Sequence, residues 1–450
     1  MKRFLKIFTV MVAAVSLASC LKNQDDVFDE PGAIRMQEAI KAYKDTLGAS
    51  TNGWILQYYP NHKYVPSIGG LNYWLKFDND QTVEVWTNYQ FGGGKVTVSL
   101  YDIISDQGPV LTFNTYNNIM HYFTTPSSNF YQGAESDYEF VILGYSDGCF
   151  KLKGRKYGSI MYLNRIEDSN ASTEDAINDY FQKAMGFVGK IIRDGKYYAF
   201  KGADTAAVMM IQNYKLAFVD YSAPKDTISE LFTETAKGYD LQHPVEVAGW
   251  KIRRLVLNYD EGSFDCIDEG AEDARFVYTQ KPDFYKKYDE YLGDYWFVGS
   301  MLTFDVGGGT KEILDSVKVT LNEVKGHKYY TSDLVMKKGS DGEPDTPVTI
   351  KLQYDPFFGC ICMMPQPLDY KNDYYLVGET GKGLIPYEYA TMALTEVNEH
   401  NVYEANYNYS LILGFKFIKF IDASRQMISI HTPYDWRLEG RTFHSLRKIE

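Results

Sequence analysis

Two-residue alternation is the feature that most limits how this chain can fold. In Leu71-Asn72-Tyr73-Trp74-Leu75-Lys76-Phe77, the residues Leu71, Tyr73, Leu75 and Phe77 fall on one side. In Thr82-Val83-Glu84-Val85-Trp86-Thr87, Val83 and Val85 do the same. A period of two belongs to a strand with one buried face, not to a helix. Short Tyr-rich runs of this kind, broken by Gly, Asn and Asp, continue from Gly53 to Arg165 and predict an antiparallel β-meander. The 38 Tyr and 26 Phe suit strands.

A three-residue loop at 79–81 sets Phe77 opposite Val83, Leu75 opposite Val85 and Lys76 opposite Glu84. It also sets Trp74 opposite Trp86, on the face turned away from the core. Sugars bind through flat aromatic faces, so Trp74 and Trp86 are candidate ligand-binding residues, with Tyr89, Tyr58 and Trp54 as extensions. The competing reading covers this face with another layer, such as a helix at 172–185, because large exposed aromatic patches are uncommon without a partner.

Three segments interrupt the β pattern. Pro31 to Leu47 reads as a helix with Ile34, Ile40, Tyr43 and Leu47 near one face and Gly48 as its stop. Ser172 to Met185 reads as a second, with Ser172 and Asp175 at capping-box spacing. A short third helix is predicted at Ile228 to Lys237. Charged, Tyr-rich Lys281 to Tyr291 marks a domain boundary, and eight to ten short strands follow from Leu292, the pattern of a sandwich or closed barrel. The chain is therefore expected to be mainly β with a few helices. An antiparallel β-meander domain with helices spans 31–290, and a β-barrel or sandwich spans 291–450.

With 46 basic and 59 acidic residues the chain carries a net charge of −13, which lacks the basic footprint of a nucleic-acid binder. Catalytic motifs fail on context. Gly144-Tyr145-Ser146-Asp147-Gly148 matches G-x-S-x-G, but an alternating run from Cys149 follows where a nucleophile elbow needs a helix. Asp147-Gly148 instead predicts a hairpin turn pairing Tyr145 with Phe150 and Leu143 with Leu152. Gly92 to Lys95 and Gly307 to Thr310 lack P-loop spacing, and no His pair has metalloprotease spacing. No catalytic residue, metal site or cofactor is expected. Cys149, Cys266, Cys360 and Cys362 permit three disulfide connectivities, but burial as small hydrophobes is the favoured reading. A hydrolase whose carboxylates or histidines converge only in the fold stays open as an alternative, as does a structural partner of an outer-membrane complex.

The N-terminus bears on location. Lys2, Arg3 and Lys6 precede an apolar run from Ile7 to Leu17, too short to span a bilayer but right for a secretory signal. Leu17-Ala18-Ser19-Cys20 resembles the lipobox of bacterial lipoproteins. That resemblance implies removal of residues 1–19, diacylglycerol on Cys20 and a lipidated tether at 20–30. Lys22 to Asp26, with Asp29 and Glu30, resembles the acidic signals that send Bacteroidota lipoproteins to the outer cell surface, the periplasmic face being the alternative.

Further along, the run Gly108 to Tyr116 with His121, then Asp137 to Val141 and Leu152 to Gly158, resemble an uncharacterised family of Bacteroidota surface lipoproteins over about residues 30 to 290. Such proteins accompany Sus-type nutrient importers, which implies an accessory role in capturing a glycan or peptide at the outer membrane. Leu292-Gly293-Asp294-Tyr295 and Tyr354-Asp355 resemble lipocalin-type barrels. Neither resemblance supplies a functional residue besides Cys20.

Overall fold

The computed structural model describes residues 30–449, apart from 79, 93, 129, 168–171, 186–194, 223–226, 305–309, 325–326, 337–345, 370–373, 381–382, 386–391, 398–400, 407–413, 421–426 and 430–441. The expected signal peptide at 1–19, Cys20 and the expected tether up to residue 29 lie outside the described residues. The chain is mostly β, with antiparallel strands throughout and two α-helices among the described residues.

Helix α1 (Gly32–Gly48) lays Ile40, Tyr43 and Leu47 on the first core, and Lys44 pairs with Asp102 at 2.6 Å. Nine strands follow: β1 (Trp54–Tyr58), β2 (Leu71–Phe77), β3 (Thr82–Trp86), β4 (Thr97–Leu100), β5 (Asp102–Ser105), β6 (Pro109–Thr112), β7 (Glu139–Ser146), β8 (Cys149–Gly154) and β9 (Ile160–Arg165). Their order is β4-β3-β2-β1-β9-β8-β7-β6-β5, so the two edge strands are neighbours in the chain, separated by Tyr101 alone. The sheet therefore curls around its inner face, which holds Trp54, Leu56, Tyr58, Tyr73, Leu75, Val85, Phe140 and Phe150. The predicted register holds residue for residue: Trp74↔Trp86, Leu75↔Val85, Lys76↔Glu84 and Phe77↔Val83.

At 147–148 the hairpin forms, with positive φ at Asp147 and Gly148 and Tyr145 opposite Phe150. A β-bulge displaces Leu143, so Ile142, not Leu143, faces Leu152. Ile142 points inward while Leu143 is half exposed, and the bulge is what lets the inward alternation change phase there.

Helix α2 (Thr173–Met185) is capped as expected, since Ser172 Oγ accepts the Asp175 N–H at 3.2 Å. After it, β10 (Tyr197–Lys201), β11 (Asp204–Gln212), β12 (Lys215–Asp220), β13 (Thr227–Glu234), β14 (Gly238–Val247), β15 (Trp250–Asn258), β16 (Ser263–Cys266) and β17 (Arg275–Tyr278) form a closed barrel, sealed by Tyr197↔Tyr278. The helix predicted at 228–237 is strand β13. Ile228, Leu231 and Phe232 fit a helical stripe, but pairing with β12 and β14 satisfies the backbone and overrides that spacing. An eight-strand interior is narrow enough for side chains to fill, and Tyr197, Met209, Phe218, Tyr239, Phe264 and Phe276 pack inside.

The second barrel comprises β18 (Gly293–Phe304), β19 (Thr310–Val324), β20 (His327–Met336), β21 (Thr346–Asp355), β22 (Cys360–Met363), β26 (Met392–Val397), β27 (Val402–Ala405) and β30 (Thr442–Lys448). A separate side sheet holds β23 (Gln366–Asp369), β24 (Tyr374–Thr380), β25 (Gly383–Ile385), β28 (Gly414–Phe420) and β29 (Met427–Ser429). The C-terminal expectation of a barrel or sandwich thus resolves to a barrel. Tyr291, Tyr295, Ile361, Leu394, Tyr403 and Leu446 pack its inside. Phe357, in the turn between β21 and β22, belongs to the first barrel's core, 5.0 Å from the Tyr197 ring and 5.2 Å from that of Phe264. The Phe357 ring thus adds to the packed interior of the first barrel.

The curled sheet and the first barrel are fastened by polar contacts. Gly70 N–H donates to Phe232 O, Asn72 Nδ2 to Glu234 O and Tyr162 OH to Gln242 O. A Cβ at Gly70 would collide with Thr233 and Tyr59, so the contact demands glycine. At this seam burial pushes the Glu234 carboxyl up to about 7. The unfolded value is about 4.3, so between these limits the folded protein holds a proton that the unfolded chain has lost. Stability should therefore be highest below about pH 4.3 as far as this group acts, and should fall as pH rises towards 7. Glu234→Gln removes that slope. Urea midpoints should coincide for the two proteins at pH 4.5 and favour the variant by about 2–3 kcal/mol at pH 8. A difference that stays constant with pH would show that Glu234 is solvated.

Candidate ligand surface

Between β6 and β7 the chain makes a long excursion, residues 113–138. Loops of this length inside a compact domain are uncommon and usually functional. Its base is fixed. Asn117 Oδ1 accepts the N–H groups of Ile119 and Met120, and Asn117 Nδ2 donates to Ser99 Oγ at 3.2 Å. Phe113, Ile119, Met120 and Phe123 are buried in the sheet's core. At the far end the Asp137 carboxylate accepts the Lys156 N–H at 2.8 Å and the Tyr157 N–H at 3.1 Å, tying the excursion to the turn after β8. Tyr58 OH donates to Asp137 O at 3.0 Å.

On this rigid base the outer rings face solvent. Tyr116 is 68% exposed and Tyr131 88%. The His121 ring lies between Tyr116 and Tyr138, with centroids 5.4 and 4.5 Å away. Burial lowers the His121 pKa below the ordinary imidazole value, so the ring between the two tyrosines is neutral at pH 7. Tyr122, half exposed, stacks on Phe91 at 4.2 Å, and Phe91 stacks on Tyr89 at 5.9 Å. Tyr131 also lines an open cleft of about 760 Å³, with Pro126, Ser127, Ser128, Gln132 and Lys156. Flat aromatic faces next to hydroxyl, amide and ammonium groups match ligands that are apolar on one side and hydrogen-bonding at the edge.

Trp74 and Trp86, the residues favoured on sequence, lie elsewhere. They pair as predicted, but Trp74 is 1% exposed and packs with Ile55 and Phe181. Its indole N–H donates to Asn52 O at 2.9 Å, and Trp86 meets Phe181 edge-on at 4.8 Å. Helix α2 covers this face, so the pair is a core contact and not an exposed platform. Trp54 and Tyr58 are also fully buried, on the opposite face. The exposed set was visible in sequence only as a density of aromatic residues between two strands, without the alternation that marks a core.

Ser146 of the G-x-S-x-G stretch sits at the hairpin end of β7, exposed, with no helix behind it. Among the described residues no group of three or more His, Cys, Asp or Glu side chains is placed to hold a metal ion.

No curated protein matches this chain. Among solved structures, the β chain of DNA polymerase III from Streptococcus pneumoniae TIGR4 aligns over 91% of this chain and 98% of its own, at 7% identity and a TM-score of 0.11, a score that carries no likeness of fold. The profile described as Domain of unknown function (DUF4302) matches residues 24–259, more than half of the sequence, from the tether through the curled sheet and into the first barrel; the chain belongs to that family.

Proposed function

We propose that this protein is an outer-membrane surface lipoprotein that captures a glycan or peptide for a Sus-type nutrient importer, without catalysing a reaction on it. The observation that carries the binding role is the pair of exposed rings Tyr116 and Tyr138 flanking half-buried His121, together with the cleft walled by Tyr131 and Lys156. Exposed aromatic area on a rigid base favours association, because little side-chain freedom is lost when a ligand settles on it. The anchoring role rests on the lipobox at Cys20, whose acyl chains would hold the chain to lipid without a spanning segment. No helix among the described residues is long and apolar enough to cross a membrane.

Calorimetry against a panel of oligosaccharides and peptides tests the binding role. Tyr131→Ala and Tyr116→Ala should each weaken a bound ligand at least about tenfold, which is about 1.4 kcal/mol. Both rings are largely exposed, so thermal unfolding should be unchanged. Undiminished affinity in both variants would remove this surface from the account.

A further inference from the structure

The cleft that Tyr131 lines carries a charge opposite to that of the protein. The chain has a net charge of −13, yet the residues lining the cleft include one cation, Lys156, and no carboxylate. Glu135 and Asp137 come near enough to be felt by the Lys156 ammonium. Both are occupied by other donors: Glu135 accepts from the Tyr64 hydroxyl at 2.7 Å, and Asp137 accepts from the backbone N–H groups of Lys156 and Tyr157. The ammonium itself rests over the Tyr157 ring, 4.9 Å from its centre. The stretch leading to Tyr131 is set by its own contacts. Ser127 Oγ accepts the Phe130 N–H at 3.2 Å, Ser127 N–H donates to Phe130 O, and the Phe130 ring stands edge-on to Tyr64 at 6.0 Å. As an acceptor there, Ser127 Oγ keeps its own proton for a ligand. The Tyr131 ring beside it is almost wholly exposed.

We propose, resting on the capture role argued above, that this cleft selects an anionic oligosaccharide, with a carboxylate or sulfate group on the Lys156 ammonium and a sugar ring on the Tyr131 face. A sugar has the matching chemistry: C–H faces for the Tyr131 ring and hydroxyl edges for Ser127, Ser128 and Gln132. An acidic peptide carries the charge without that flat C–H face edged by hydroxyls. An ammonium is a point charge without the planar fork of a guanidinium, so it takes carboxylate and sulfate alike. The remote acidic groups of the protein do not cancel the attraction, because the Debye length is about 8 Å at physiological ionic strength.

Calorimetry on the full chain with oligogalacturonate and its methyl ester separates charge from shape, since the two share one sugar backbone. A sulfated galactan oligosaccharide and its desulfated form do the same for sulfate, and the pair that responds identifies the anion. The anionic member of at least one pair should bind about three- to fivefold more tightly than its neutral partner, the range of an exposed ion pair. Lys156→Gln should abolish that preference, Lys156→Arg should keep it, and Lys251→Gln, at an exposed position of β15, should leave it unchanged. The Lys156 side chain is exposed and its bond to Asp137 is made by the backbone, so these variants keep the fold. Equal binding within both pairs, or a preference that survives in Lys156→Gln, would overturn the assignment while leaving glycan capture standing. Binding of neutral glycans or acidic peptides with none of the anionic sugars would overturn it in the same way, and binding of no sugar or peptide would overturn the capture role as well.

Discussion

Trp74→Ala should destabilise the curled sheet by about 3–5 kcal/mol, the usual loss for emptying a buried indole site. The ring is 1% exposed, lies between Ile55 and Phe181 and donates to Asn52 O at 2.9 Å. Its nitrogen also borders Gly53, where φ is +82° and a Cβ would stand 2.7 Å from the indole nitrogen. Removing the ring therefore leaves a cavity under α2 and takes a donor from the Asn52 carbonyl. Domains of this kind have about 5–15 kcal/mol in hand, so this loss is a large share of the total. The urea midpoint measures it directly. A platform residue would behave in the opposite way, losing ligand affinity with no change in midpoint.

Arg253→Met should be comparably costly for a different reason. The guanidinium lies 3.5 Å from the centre of the Tyr162 ring, donates to Gln57 Oε1 at 3.1 Å and stands 3.8 Å from Asp240 Oδ2. The Arg253 and Asp240 side chains are only 14% and 16% exposed. Gln57 Nε2 closes the group with a 2.7 Å bond to Asp240. Exposed ion pairs contribute about 0–1 kcal/mol, whereas removing one partner of a buried pair costs about 3–5. Burial already holds the Asp240 carboxyl above its ordinary range, opposed by Arg253. Without the cation that pKa rises further, so the folded variant takes up a proton at a pH where the unfolded chain stays ionised. The deficit should be largest at pH 8 and shrink as pH falls and the raised Asp240 carboxyl takes up its proton, and Asp240→Asn in the same background should recover part of it at pH 8. Urea denaturation at the two pH values checks this. A pH-independent loss under about 1 kcal/mol would mean that the seam between sheet and barrel is wet.

The strand register was legible because a short turn and strict alternation admit one pairing of Leu75 with Val85. Alternation could not say what covers the second face. Every residue of β2 except Lys76 is buried, since α2 lies on one side and the sheet's own core on the other. A two-layer expectation exposes Trp74, and a third layer buries it. Strand β13 was hidden for another reason: Ile228, Leu231 and Phe232 satisfy helical spacing as well as a strand with mixed burial, and closure of the barrel decides between them. The excursion at 113–138 has no period at all. Its geometry comes from Asn117, Asp137 and buried Phe123, whose partners are remote in sequence.

The ligand surface itself is tested most directly by amide hydrogen exchange with and without a bound oligosaccharide or peptide. The account predicts slowed exchange confined to residues 114–138 and the Lys156–Tyr157 turn that Asp137 holds beside them. Protection centred on the second barrel or on the seam around Arg253, with 114–138 unchanged, would contradict it.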